Sequence, residues 1–152
     1  MRIAPRSRRE VLHLAASGAL AAMVLPVAAL ATPEKVAEEI NKISGGKKIA
    51  EGKIKLDLPS IAENGLVVPL SFDVESPMTD KDHVKAVYLF AEGNPQVNVA
   101  NFHFTPMSPK ASASLRIRLA QTQNIVAIAE MSNGELYRTS KEVKVTIGGC
   151  GG

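Results

Sequence analysis

With a single cysteine in 152 residues, the chain has no second thiol with which to close a disulfide on itself, and no cysteine pair at the spacing of a structural zinc site. Glycine-rich phosphate loops of the G-x-G-x-x-G and Walker types are missing, as is the G-x-S-x-G nucleophile turn. No His-Asp-Ser or Cys-His pairing can be placed by spacing, which leaves hydrolase readings without a constellation. There is no internal repeat, no charged tail and no bias toward disorder; 45% hydrophobic residues are enough for one domain with a real core.

A lasting excess of charge is also lacking. The formal +3 comes from 18 basic and 15 acidic residues, but Arg2, Arg6, Arg8, Arg9 and Glu10 all lie in a segment that reads as a removable leader. Without it the chain is formally neutral, so the basic balance gives no support for nucleic-acid binding. The leader has a basic start, an uncharged run from Val11 to Leu30 broken only by His13, and an A-x-A site at Ala29, Leu30 and Ala31. These features predict a signal peptide over residues 1–31, cut after Ala31. Ser7-Arg8-Arg9-Glu10-Val11-Leu12 resembles the twin-arginine export signal, with valine where phenylalanine is usual; an ordinary secretory signal with a basic start is the alternative. Pro26 interrupts the apolar run and no charged stop-transfer segment follows, so no membrane anchor is expected after cleavage. The expected location is the periplasm.

Past the leader, Thr32-Pro33-Glu34 opens a short helix whose stripe is Val36, Ile40 and Ile43, and Gly45-Gly46 stops it. That stripe is expected to cap one end of the core or to make a subunit contact. The apolar period then changes from 3.6 to 2. Ile54, Leu56 and Leu58 alternate up to Pro59, and Leu66 to Val74 alternates after the Asn64-Gly65 turn, with Pro69 inside it at an expected sheet edge or bulge. Val84 to Ala91 is apolar on both parities and reads as a central strand. Val97 to Phe104, Ser112 to Leu119, Ile125 to Ala129, and a last run closing on Val143, Val145 and Ile147 complete the set. The pattern predicts a mainly β fold over residues 32–147: an immunoglobulin-like antiparallel sandwich of about seven strands with a short N-terminal helix.

Several side chains invite chemistry. His83 and His103 with Met78, Met107 and Met131 contain the donors of a soft copper site, but no H-x-M or M-x-M spacing joins them, and they read as ordinary strand and turn residues with no metal site. Asp80 and Asp82 read as a solvated turn. Arg116 and Arg118 share one strand face, either as a solvated or subunit-facing row or as a grip for a small sulfur anion. The end of the chain is the strongest feature: Ile147 is followed by Gly148, Gly149, Cys150, Gly151 and Gly152. Four glycines make residues 148–152 an expected thin, mobile arm, and three residues past Ile147 reach roughly 10 Å. No cation or helix N-terminus in the arm lowers the thiol's pKa, so its activation is expected from a partner enzyme. An odd cysteine in an exported protein signals either intermolecular pairing or a reactive thiol kept for use.

The segments VKVTIGGCGG (Val143 to Gly152), IKLDLP (Ile54 to Pro59), ENGLVVPL (Glu63 to Leu70), FHFTP (Phe102 to Pro106) and RIRLAQTQ (Arg116 to Gln123) together resemble the SoxY family, the sulfur-compound carriers of periplasmic thiosulfate oxidation. The resemblance implies a carrier without catalytic residues or cofactors of its own, with Cys150 as the covalent attachment site for thiosulfate, held as a thiosulfonate. It implies a heterodimer with SoxZ and transient visits to the haem-containing SoxAX, the hydrolase SoxB and, in some organisms, the sulfane dehydrogenase SoxCD. Two other readings stay open beside it. One is a structural or regulatory sandwich subunit whose tail thiol only forms an intermolecular disulfide. The other is a ubiquitin-like carrier using the Gly151-Gly152 carboxylate, which would need ATP and so fits poorly with export.

Overall fold

The computed structural model describes residues 32–149. Helix α1 (Pro33–Ser44) starts from an extended Thr32 (φ −116°, ψ 160°) with Pro33 in its first turn, where a missing N–H costs nothing. It stops at Gly45, whose left-handed backbone (φ 58°) lets its N–H donate to the Asn41 carbonyl at 2.9 Å.

Nine strands follow: β1 (Ile49–Glu51), β2 (Ile54–Asp57), β3 (Ile61–Asn64), β4 (Val68–Val74), β5 (Val84–Ala91), β6 (Asn98–His103), β7 (Ala111–Ile117), β8 (Gln123–Met131) and β9 (Leu136–Ile147). The larger sheet runs β1-β9-β8-β5-β6, with β3 also paired to β9, and the smaller runs β2-β4-β7. Both are open sheets facing each other as an immunoglobulin-like sandwich. The expected seven strands become nine because β1 and β3, three and four residues long, pair parallel to β9 in an otherwise antiparallel fold.

The inner faces meet in one core. Leu70 and Phe72 of β4 and Ile117 of β7 pack toward Val87 and Leu89 of β5 and Ile125, Ala127 and Ala129 of β8. Phe72 holds Phe102 and Phe104 edge-on, with centroids 5.1 and 6.4 Å away. β5 and β8 are apolar on their other face as well, and α1 covers it: Val36 and Ile40 pack with Phe90, Val126, Ile128 and Leu136 in a second cluster. The helix therefore caps no end of the core; it lies on the outer face of the larger sheet.

Pro69 finds its expected sheet edge locally. It sits in the middle strand of the smaller sheet, opposite Arg116 of β7. However, β2 ends opposite Ser71, so Pro69 has no partner on that side and the strand behaves there as an edge.

Candidate functional site

The site is the place where the chain leaves its last strand. β9 pairs with β8 only as far as Val143, because β8 begins at Gln123. Beyond that, Lys144 donates its N–H to the Ser60 carbonyl at 3.0 Å, Val145 donates to the Thr122 hydroxyl at 2.9 Å, and β3 runs beside the strand as far as Asn64 opposite Ile147. The last four residues of β9 are thus gripped from both sides after the regular sheet has ended.

Three backbone hydrogen bonds then close a ring. The Gly65 N–H donates to the Ile147 carbonyl at 2.7 Å, the Leu119 N–H donates to the Gly65 carbonyl at 2.8 Å, and the Gly149 N–H donates to the Leu119 carbonyl at 2.8 Å. Asn64 sets the turn that presents Gly65, its side-chain oxygen accepting the Leu66 N–H at 2.8 Å.

The ring closes only because its members lack side chains. A Cβ on Gly65 would overlap the Leu119 carbonyl oxygen and stand 2.8 Å from the Gly149 nitrogen. One on Gly148 would overlap the Ala120 carbonyl, and one on Gly149 would overlap the Gly65 carbonyl and lie 2.6 Å from the Leu66 nitrogen. Gly148 and Gly149, expected as the first half of a mobile arm, are thus closely packed, and Gly149 is hydrogen-bonded to the body. Cys150, Gly151 and Gly152 lie outside the described residues.

The segment that receives Gly149 is braced from beneath. Gln123, buried at 6% exposure, accepts the Gly93 N–H at 2.7 Å and donates to Asn94 Oδ1 at 2.9 Å and to the Gln121 carbonyl at 3.1 Å. Asn94 Oδ1 also accepts the Ala120 N–H at 3.0 Å, and its amide donates to the Arg118 carbonyl at 2.8 Å. Residues 118–123 are therefore held by hydrogen bonds that do not involve Gly149. Leu66, Val67 and Ile147, neighbours in sequence of the ring glycines, are exposed large apolar side chains.

The other candidate residues do not gather. Met78 and Met131 are buried in the inner core, whereas Met107 is fully exposed in the β6–β7 loop. The His83 ring Nδ1 lies 3.0 Å from the Thr79 carbonyl, a turn contact, and His103 stands edge-on to Tyr88 at 6.3 Å. Among the described residues no three His, Cys, Asp or Glu side chains form a group able to hold a metal ion. Arg116 and Arg118 are exposed and, among the described residues, form no ion pair. Both border a hollow of about 480 Å³ with Asn94, Asn98 and Val99, beside β6 and β7.

The family described as "Sulfur oxidation protein SoxY" matches residues 40–150. The structure of the sulfur carrier protein SoxY from Chlorobium limicola f thiosulfatophilum is similar at 35% identity and a TM-score of 0.64, over 75% of this chain and 98% of that one. A superoxide reductase (neelaredoxin) from Ignicoccus hospitalis superposes at 21% identity and TM-score 0.56, over 75% of this chain and 92% of that one. A putative superoxide reductase from Thermotoga maritima does so at 16% and 0.51, over 68% and 89%. At those identities the likeness shows the sandwich fold alone. No curated protein matches the chain.

Proposed function

The chain belongs to the SoxY family of sulfur oxidation proteins, and from that premise we propose that it is a covalent sulfur carrier in thiosulfate oxidation, with Cys150 as the attachment point. The observation that carries this reading is the position of Cys150. It is the first residue past a ring of backbone hydrogen bonds that fixes Gly149 to the body of the sandwich. A carrier needs the residue before its reactive atom tied to something rigid, and the hydrogen bond of Gly149 supports that requirement.

The chemistry follows from the thiol. Thiolate and thiosulfate join as Cys–S–S–SO₃⁻ with the release of two electrons, so the partner that loads the arm must be an electron acceptor; the haem-containing SoxAX fits that class. Hydrolysis of the terminal S–SO₃ bond takes up one water and gives sulfate, two protons and a persulfide anion left on Cys150, the step expected of SoxB. SoxCD, where the host has it, would oxidise the remaining sulfane sulfur. This chain supplies no catalytic group to these steps. It presents the sulfur, and several unrelated active sites can accept it because glycine is all that surrounds it. SoxZ is the proposed partner subunit. Residues 1–31 are the proposed twin-arginine leader, delivering the folded protein to the periplasm.

Intact mass under non-reducing conditions tests the reading. After incubation with thiosulfate and the partner enzymes, reductant-labile thiosulfate or sulfane additions on the protein, absent from Cys150→Ser, are expected. A doubled mass with no such addition would instead identify a subunit whose tail thiol only bridges chains.

A further inference from the structure

We propose that the side of the sandwich between the edges of β6 and β7 holds a non-covalent site for a small doubly charged oxyanion, sulfate or thiosulfate, gripped by Arg116 and Arg118. The site goes beyond the carrier reading and does not involve the thiol.

β6 ends the larger sheet and β7 ends the smaller one, so among the described residues each has one edge with no strand beside it. Residues of both strands line the hollow of about 480 Å³. The ladder of β6 slips there: Leu89 of β5 faces Ala100 and Phe90 faces Asn98, which leaves Val99 between them without a partner. Half-buried Val99 and Leu115 give the hollow an apolar wall. Arg116 and Arg118, two positions apart on an extended backbone, project to the same side with Cα atoms roughly 7 Å apart. Their like charges repel, and among the described residues no Asp or Glu lines the hollow; its other polar side chains are the carboxamides of Asn94, Gln96 and Asn98. The two hollows on the outer face of the smaller sheet differ in this respect, since Asp57 lines both. Arg118 is also held at its base, because the Asn94 amide donates to its carbonyl at 2.8 Å. A dianion between the two guanidinium groups removes their repulsion and accepts paired N–H bonds from each, which a chloride ion cannot do. The apolar wall suits the weakly hydrated terminal sulfur of thiosulfate better than the fourth oxygen of sulfate.

An NMR titration of the isotope-labelled full chain carrying Cys150→Ser, on which no sulfur adduct can form, tests the site. Sodium sulfate and sodium thiosulfate, each at an ionic strength held constant with sodium chloride, should give saturable shifts centred on residues 94–99 and 115–118. Thiosulfate should bind about threefold tighter, the scale of one partly buried apolar contact. Arg116→Gln and Arg118→Gln should each weaken both anions about three- to fivefold, the upper range of an exposed ion pair. Arg138→Gln, which removes the same charge from β9 in the other sheet, should leave both affinities as they were. Shifts no larger than chloride alone produces overturn the site, and so does an equal loss of affinity in Arg138→Gln. Equal affinity for sulfate and thiosulfate overturns the part given to the apolar wall. The readout needs neither the thiol nor a partner enzyme, so failure here is distinct from failure of the adduct test.

Discussion

Gln123 offers the sharpest test of how the arm's dock is built. Replacement by leucine keeps the volume but leaves the buried Gly93 N–H without an acceptor and strips Asn94 Oδ1 of one of its two donors. An orphaned buried donor costs about 1–3 kcal/mol, and the added apolar contact of leucine recovers only part of it. A net loss of about 2 kcal/mol corresponds to a fall of roughly 8 °C in Tm for a domain of this size.

Gln123→Glu sharpens the test through pH. One carboxylate oxygen can still accept the Gly93 N–H, but the other faces Asn94 Oδ1 and the Gln121 carbonyl, both acceptors. Turning the Asn94 amide over does not help, because its oxygen also serves the Ala120 N–H and its nitrogen the Arg118 carbonyl. The protonated acid alone fits the site, so folding raises this carboxyl's pKa above its ordinary value of about 4.3. The folded state then binds more protons than the unfolded one. The stabilisation is fully present below the unfolded pKa and is lost as pH rises through the folded pKa. Thermal melts followed by circular dichroism, with the unaltered protein at each pH as reference, should show the Gln123→Glu deficit shrinking as pH falls from about 7 toward 4. A leucine variant within about 0.5 kcal/mol of the unaltered protein, or a Gln123→Glu deficit that grows in acid, would refute the account of the network.

Other perturbations separate the roles of neighbouring residues. Gly149→Val forces a side chain into the Gly65 backbone and so lowers Tm by a few degrees, about 1 kcal/mol, as well as slowing thiosulfate-dependent cytochrome reduction. Gly151→Val should slow that reduction with Tm unchanged, and full turnover would sink the idea that bulk is excluded around the thiol. Phe90→Ala, at a ring only 1% exposed beneath α1, should cost about 3–5 kcal/mol in denaturant unfolding; a loss under about 1 kcal/mol would mean that the helix does not seal that face. Tyr88 ionises later than a free tyrosine, first because its ring is partly buried and then because of the Glu130 carboxylate, whose oxygen accepts its hydroxyl at 3.3 Å. The raised pKa makes its contribution to stability fall as pH climbs past about 10. Tyrosinate absorbance in Glu130→Gln should keep most of the delay, since burial is the larger cause; complete loss of the delay would reverse that order.

Alternation with one buried face was legible in the sequence, and so was the double-sided run of β5, which falls where Val84 to Ala91 placed it because Phe90 meets the helix while Val87 and Leu89 meet the other sheet. The short strands β1 and β3 were not. Ile49–Glu51 and Ile61–Asn64 are mostly exposed and have no amphipathic period of their own. They exist because β8 covers only one edge of β9: β1 pairs with Leu136–Arg138 and β3 with Lys144–Ile147 along the other. Nor does composition mark Gln123 and Asn94, polar residues 29 positions apart whose pairing depends on the fold that joins them.

The glycines at the end of the chain carry the harder lesson, because one residue type serves two opposite purposes. Four glycines around a cysteine signal freedom when the backbone faces water, since glycine has the most conformations to visit. They signal confinement when another backbone lies within reach, since only glycine lets two main chains approach so closely. What separates the cases is the residue across the gap. Gly65, more than eighty positions upstream in a turn that looks like an ordinary Asn-Gly hairpin signal, faces Gly149 at a separation no Cβ would allow. A side-chain latch on the arm would have to be small enough to pass every partner's entrance, whereas backbone hydrogen bonds hold the arm at no cost in width. The absence of side chains that the proposed delivery role would need therefore also lets the body of the sandwich hold the chain as far as Gly149.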